Sequence, residues 1–85
     1  MQDSSSTREK IIQHLLAASD AEIQAADITA DTSLRDDLDL GSLQAVTLVM
    51  DLEDEFGVTV DDEEIEGLNT VGEIFRLIES KQQDQ

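Results

Sequence analysis

Residues 37–57 read Asp-Leu-Asp-Leu-Gly-Ser-Leu-Gln-Ala-Val-Thr-Leu-Val-Met-Asp-Leu-Glu-Asp-Glu-Phe-Gly, and this stretch decides the fold. From Ser42 it contains neither Gly nor Pro until Gly57, and Leu48, Leu52 and Phe56 recur every fourth residue. The spacing predicts a helix that begins at Ser42 and ends at Gly57, a natural C′ residue. The irregular acidic segment before it should leave the Ser42 hydroxyl on the surface, either as a helix cap or as an attachment point.

This helix carries more apolar surface than one core contact requires. Ala45 and Val49 flank the core stripe, whereas Leu43, Val46 and Met50 lie round the helix from it. We expect the latter three side chains to form a docking face for a partner. Additional core and a seam between two copies of the chain are the alternatives.

Acidic residues dominate the whole chain. The 21 Asp and Glu against 5 Lys and Arg give a formal net charge of −16. Glu53, Asp54 and Glu55 crowd the last turn of the helix, where the macrodipole disfavours anions. Such a surface repels phosphate backbones and anionic membranes and attracts basic patches. We therefore expect protein partners, with no nucleic acid and no membrane among them.

Periodicity predicts three further helices. The first should run from a capping box at Ser6 to about residue 18 or 19, with Ile11, Ile12, Leu15 and Leu16 on one face. A short third helix over residues 62–67 would be capped by Asp61 or Asp62 and anchored by Ile65 and Leu68. A capping box from Thr70 to Glu73 should open the last helix, whose inward residues are Val71, Ile74, Phe75 and Ile78.

The connection between the first two helices is unusually long for a small domain. Residues 19–41 show no periodicity, and we expect a loop held by Ile28, Leu34 and Leu38, with a helical turn around residues 21–25. The whole pattern predicts an all-α four-helix bundle with a long first loop and a short third helix. At this length residues 1–85 should form one domain, with residues 1–5 and 81–85 fraying.

Several classes of function are excluded by what the chain lacks. It has no Cys for thiol chemistry, no apolar run of about 20 residues, and no secretory signal, so a cytoplasmic protein is expected. A Gly-x-Ser-x-Gly nucleophile is absent because Leu40 and Gln44 stand at its glycine positions, and His14 has no catalytic partner nearby. No EF-hand loop fits either. We expect neither catalysis by the polypeptide nor a metal site.

Three segments resemble the acyl carrier protein family over almost the whole chain. They are Leu-Asp-Leu-Gly-Ser-Leu-Gln-Ala-Val from residue 38, Leu-Val-Met-Asp-Leu-Glu-Asp-Glu-Phe-Gly-Val from residue 48, and Asn-Thr-Val-Gly-Glu-Ile from residue 69. The resemblance implies that Ser42 carries a 4′-phosphopantetheine arm, on which acyl groups travel as thioesters. It also implies a recognition face for partner enzymes made of Asp39, Leu43, Val46, Met50, Glu53 and Asp54.

The partners implied are a phosphopantetheinyl transferase and acyl-transferring or chain-elongating enzymes of fatty-acid or polyketide type. The carrier itself is expected to be a monomer. Two departures from the family pattern suggest a specialised carrier. Gly41 stands where the family most often has aspartate, and the segment before Ser42 is several residues longer than in the common bacterial fatty-acid carriers. The rival interpretation is an acidic helical interaction module without a prosthetic group.

Overall fold

The computed structural model of the protein describes residues 4–19 and 22–83. Its helices are α1 (Ser4–Ala18), α2 (Ser42–Phe56), α3 (Asp62–Glu66) and α4 (Val71–Gln83), and a single 3₁₀ turn, Ala25–Asp27, lies in the first loop. The all-α layout with a long first loop and a short third helix is therefore confirmed. Gly57 ends α2 in the left-handed conformation, with φ of +65°, as expected of a C′ glycine.

The core lies between α1, α2 and α4 and is closed by the first loop. Helices α1, α2 and α4 contribute buried residues from the stripes that their periodicity predicts, although Ile12 and Leu16 of the predicted α1 stripe are only half-buried. The fully buried side chains are Ile11, Leu15, Leu38, Leu48, Val49, Leu52, Val71, Ile74 and Ile78. Ile28, Leu34 and Leu38 are buried as expected and hold the loop against the helices, together with Leu40. Phe56 is only half-buried at the edge of this core.

Backbone hydrogen bonds hold the first loop to the segment that precedes α4. The Leu34 N–H donates to the Asn69 carbonyl at 2.9 Å, and the Val71 N–H donates to the Thr32 carbonyl at 3.0 Å. The Gly72 N–H reaches the Ala30 carbonyl at 2.9 Å, and a Cβ on Gly72 would lie 2.9 Å from that same oxygen. The close approach requires glycine at this position. These bonds fix residues 30–34 of the long loop to the start of α4.

The capping box that opens α4 is confirmed. Glu73 Oε1 accepts hydrogen bonds from the backbone N–H groups of Asn69 at 2.8 Å and Thr70 at 2.9 Å. Both donors lower the pKa of Glu73 because they stabilise its charged form, and the Asn69 N–H has the largest effect. The third helix also begins as predicted, with Asp61 at its N-cap position.

The predicted ends of the outer helices were wrong. Helix α1 already includes Ser4, so Ser6 lies inside the helix and is not its cap, and α4 continues through residues 81–83, which were expected to fray. Contacts between the two helices explain both extensions. Thr7 is buried and its hydroxyl donates to Gln82 Oε1 at 3.4 Å, and Arg8 pairs with Glu79 at 2.8 Å. Residues 1–3, 84 and 85 lie outside the described residues.

The helical turn in the first loop is displaced from the predicted site. It covers Ala25–Asp27 and so shares only Ala25 with the predicted range 21–25, of which residue 21 lies outside the described residues. The turn ends just before Ile28, which is buried. The spacing of residues in the sequence does not show that the turn ends there. His14 lies at the bundle boundary, as expected, with Nε2 3.3 Å from Glu55 Oε1 of α2.

Candidate functional site

Ser42 is the first residue of α2, and Gly41 before it is the N-cap. The Gly41 N–H donates to Gln44 Oε1 at 2.9 Å, and the first intrahelical bond runs from the Ala45 N–H to the Gly41 carbonyl at 2.9 Å. The side chain of Ser42 is exposed, and its hydroxyl makes no hydrogen bond with any residue that the structure describes. Ser42 is therefore not the helix cap, and its hydroxyl is available for other use.

The backbone around Ser42 favours a negatively charged group. The N–H groups of Ser42, Leu43 and Gln44 precede the first intrahelical bond and have no acceptor within the helix. They form the positive end of a 15-residue helix dipole. A phosphate ester on the Ser42 hydroxyl would lie at this end, where its charge is stabilised.

A groove of about 590 Å³ opens beside Ser42, between α2, α3 and the first loop. One part of its wall is apolar, and another part carries polar and charged groups. The apolar part is made by Leu34, Leu40, Ala45, Val46, Ile65 and Leu68, and the polar part by Ser33, Arg35, Asp36, Glu66 and Asn69. The groove therefore offers contacts to a chain that leaves Ser42 and carries both polar and apolar groups.

Leu43, Val46 and Met50 form an apolar patch on the outer surface of α2. They are 79%, 37% and 57% exposed, and these are the large apolar residues that the structure records as exposed. Their exposure removes the alternative that they belong to the core of this chain. The patch lies on the same helix as Ser42, and Leu43 follows Ser42 directly in the chain.

The predicted acidic recognition residues differ in their surroundings. Asp54 and Asp39 are exposed, and Asp39 adopts the left-handed conformation with φ of +55°. Glu53 is half-buried, and its Oε2 accepts a hydrogen bond from the backbone N–H of buried Val60 at 2.9 Å. Glu53 thus fixes the connection between α2 and α3. Sequence reasoning missed this contact because no local pattern tells which way the Val60 N–H points.

Two more residues beside Ser42 were missed by sequence reasoning. Gln44 accepts the N–H of the N-cap residue Gly41, and a glutamine at the third helical position was a signal for this contact. Arg35 lines the groove, but a single arginine in an irregular segment carries no such signal.

Within residues 4–19 and 22–83 no three His, Asp or Glu side chains converge on a site for a metal ion. None of the described helices is both long enough and apolar enough to cross a bilayer.

Comparison with known families gives one consistent result. The family model described as the phosphopantetheine attachment site matches residues 11–78. An acyl carrier protein from Exiguobacterium sp. is 48% identical over 56 residues, which is 66% of this chain and 71% of the relative. Another, from Exiguobacterium sibiricum, is 45% identical over 58 residues, or 68% of this chain and 73% of the relative.

Solved structures agree with the sequence comparison. The acyl carrier protein of Enterococcus faecalis superposes with a TM-score of 0.79 at 30% identity, over 94% of this chain and 99% of the other. The acyl carrier protein of Thermotoga maritima gives a TM-score of 0.73 at 24% identity, over 92% and 93% of the two chains, and shows the fold alone.

Proposed function

This chain belongs to the acyl carrier protein family, and on that premise we propose that Ser42 is the residue that carries its 4′-phosphopantetheine arm. The chain is a carrier and not itself an enzyme. The covalently attached arm supplies the thiol that holds an acyl group as a thioester, and the polypeptide has no Cys of its own.

The exposed Ser42 hydroxyl, free of hydrogen bonds to other described residues, is the observation that carries this proposal. A hydroxyl engaged in capping would have to give up that bond before it could attack phosphorus, whereas Ser42 has none to give up. The Gln44 side chain accepts the Gly41 N–H and leaves the Ser42 hydroxyl uninvolved. The phosphodiester formed on Ser42 would then lie at the positive end of α2, where unpaired backbone N–H groups stabilise it.

We further propose that partner enzymes dock on the apolar patch and on the acidic surface beside it. Leu43, Val46 and Met50 would supply the buried part of the contact, and Asp39 and Asp54 would meet basic groups at its rim. With a net charge of −16, the field of the chain favours fast association with basic surfaces and modest affinity. A carrier that serves several enzymes in turn needs both properties.

These partners are a phosphopantetheinyl transferase and acyl-transferring or chain-elongating enzymes of the fatty-acid or polyketide kind, which we place with this carrier in the cytoplasm. The carrier would act as a one-domain monomer, because a second copy on the apolar patch would cover the surface that the enzymes need. Gly41 and the long first loop support a specialised member of the family.

Intact-mass measurement tests the attachment. The purified protein is incubated with coenzyme A, Mg²⁺ and a broad-range phosphopantetheinyl transferase, and its mass should rise by one phosphopantetheine group. Ser42→Ala should abolish the gain. Ser80→Ala, which removes the hydroxyl of an exposed serine on α4, is the matched control and should leave the gain unchanged.

The rival interaction module without a prosthetic group makes the opposite prediction. It requires the wild-type mass to stay constant with every transferase tried, even though the far-UV spectrum shows a folded helical protein. A mass gain that persists in Ser42→Ala would instead place the arm on another residue.

A further inference from the structure

Arg35 is a cationic residue that lines the groove beside Ser42. Its side chain is exposed, and the groove that it lines is also lined by Ser42, Gly41 and Val46. The chain has only 5 Lys and Arg against 21 Asp and Glu, so few of its surface residues are cationic, and one of these few lies near Ser42. Local packing does not explain it, since the Arg35 side chain is not part of the core.

Most other cations of the described residues pair with carboxylates. Arg8 lies 2.8 Å from Glu79, Lys81 lies 2.9 Å from Glu64, and Lys10 lies 3.9 Å from Glu55. Arg35 forms no ion pair with the residues that the structure describes, although Asp36 and Glu66 line the same groove. Its guanidinium is therefore available to an anion that enters the groove.

We propose that Arg35 binds the phosphodiester that joins the arm to Ser42. This inference rests on the proposed attachment at Ser42 and deepens it. A guanidinium presents two parallel N–H donors that match two phosphate oxygens, and it stays charged at any physiological pH. The backbone N–H groups at the start of α2 would hold the phosphodiester from the helix side, and Arg35 would hold it from the loop side.

The contact gives the arm a direction. A phosphodiester that contacts only the helix start can still rotate about the bonds of the Ser42 side chain. One that also contacts Arg35 has a fixed orientation, which directs the arm along the groove. Arg35 is thus a positioning residue and takes no part in chemistry. Lysine at this position would supply charge without the paired donors and should hold the phosphodiester less well.

Phosphorus NMR of the holo protein tests the contact directly. The ³¹P resonance of the phosphodiester is followed in wild-type, Arg35→Gln and Arg76→Gln protein while NaCl is raised from about 0.02 M to about 0.5 M, which shortens the screening length about fivefold. Arg76 is the matched control because it is also an exposed arginine, but it lies on α4, where its charge acts on Glu73, and it does not line the groove.

In wild-type and Arg76→Gln protein the resonance should move with salt as the ion pair is screened. In Arg35→Gln it should start near the high-salt wild-type position and change little. For an exposed pair of ordinary strength, the population of the bound arm should fall about two- to fivefold in Arg35→Gln. Arg35→Lys should give an intermediate titration. The Arg35 side-chain N–H resonances should also shift between the apo and holo proteins.

Coinciding salt titrations of wild-type and Arg35→Gln protein would overturn the proposal, as would an equal change in Arg76→Gln, which would indicate net charge alone. Failure of the attachment at Ser42 can be told apart from failure of the Arg35 contact, because without attachment no phosphodiester resonance would appear in any of the proteins. That result would also refute the role of Arg35. Because Arg35 is exposed, Arg35→Gln should fold, and its far-UV spectrum checks this.

Discussion

Replacing Glu53 by alanine should destabilise the fold, whereas replacing its neighbour Asp54 should not. Both are acidic residues in the last turn of α2, and both are expected on the recognition face. Glu53 differs because its carboxylate accepts the Val60 N–H at 2.9 Å, and Val60 is only 7% exposed. Removal of the carboxylate leaves a buried donor without its acceptor.

The expected loss can be worked from this contact. A hydrogen bond to a charged group contributes roughly 1.5–3 kcal/mol, and because Glu53 is half-exposed we take a lower figure of about 1–2 kcal/mol. Three effects act the other way: alanine is the better helix former, the helix end disfavours anions, and the chain is strongly negative. Asp54→Ala experiences all three without losing a hydrogen bond, and it gains a few tenths of a kcal/mol more in helix propensity because Asp is a poorer helix former than Glu. The difference between the two variants reports the hydrogen bond to within that margin.

Urea unfolding followed by circular dichroism measures that difference. Glu53→Ala should unfold at a lower urea concentration than Asp54→Ala, and its free energy of unfolding should be lower by about 1–2 kcal/mol. For a domain of this size, each kcal/mol corresponds to roughly 4–8 °C in Tm. Glu53→Gln keeps an acceptor oxygen and should recover part of the gap. Equal midpoints for the two alanine variants would refute the structural role of Glu53.

Two further predictions concern the apolar patch and the start of α4. Val46→Ala and Met50→Ala should each change the free energy of unfolding by less than about 0.5 kcal/mol but weaken the binding of a partner enzyme, measured by titration calorimetry, because both side chains are exposed. Glu73→Gln should flatten the acid side of the plot of unfolding midpoint against pH. The pKa of Glu73 is lowered on folding, so its stabilisation is complete above the ordinary carboxyl range and is lost as the pH falls through the folded-state pKa.

The fold could be predicted from the sequence because its helices carry independent local signals. Periodicity located the core faces, and Thr70 with Glu73 marked the start of α4. The helix ends that were missed, at Ser4 and Gln83, are set by contacts between α1 and α4 that join residues more than 70 positions apart, as in the pair of Arg8 and Glu79. No local pattern reports such a contact. Tertiary packing therefore extended both helices beyond their sequence signals.

The candidate site was only partly predictable for the same reason. The exposed hydroxyl of Ser42 and the outward-facing patch follow from helical geometry, which places every residue of α2 once the start is known. At the helix start the Gln44 carboxamide folds back onto Gly41, so that its oxygen accepts the Gly41 N–H and would lie 2.7 Å from a Cβ at that position. The position of Arg35 depends on the path of the first loop, which has no periodicity.

The two acidic neighbours at the end of α2 therefore need different experiments to reveal docking. Steering by the field depends on total charge, so Glu53→Gln and Asp54→Asn, which each remove one negative charge, should slow association with a basic partner by similar factors and flatten its salt dependence. Direct contact depends on exposure, so Asp54→Asn should also speed dissociation, whereas Glu53→Gln should not. Faster dissociation in both variants would place Glu53 in the interface despite its bond to Val60.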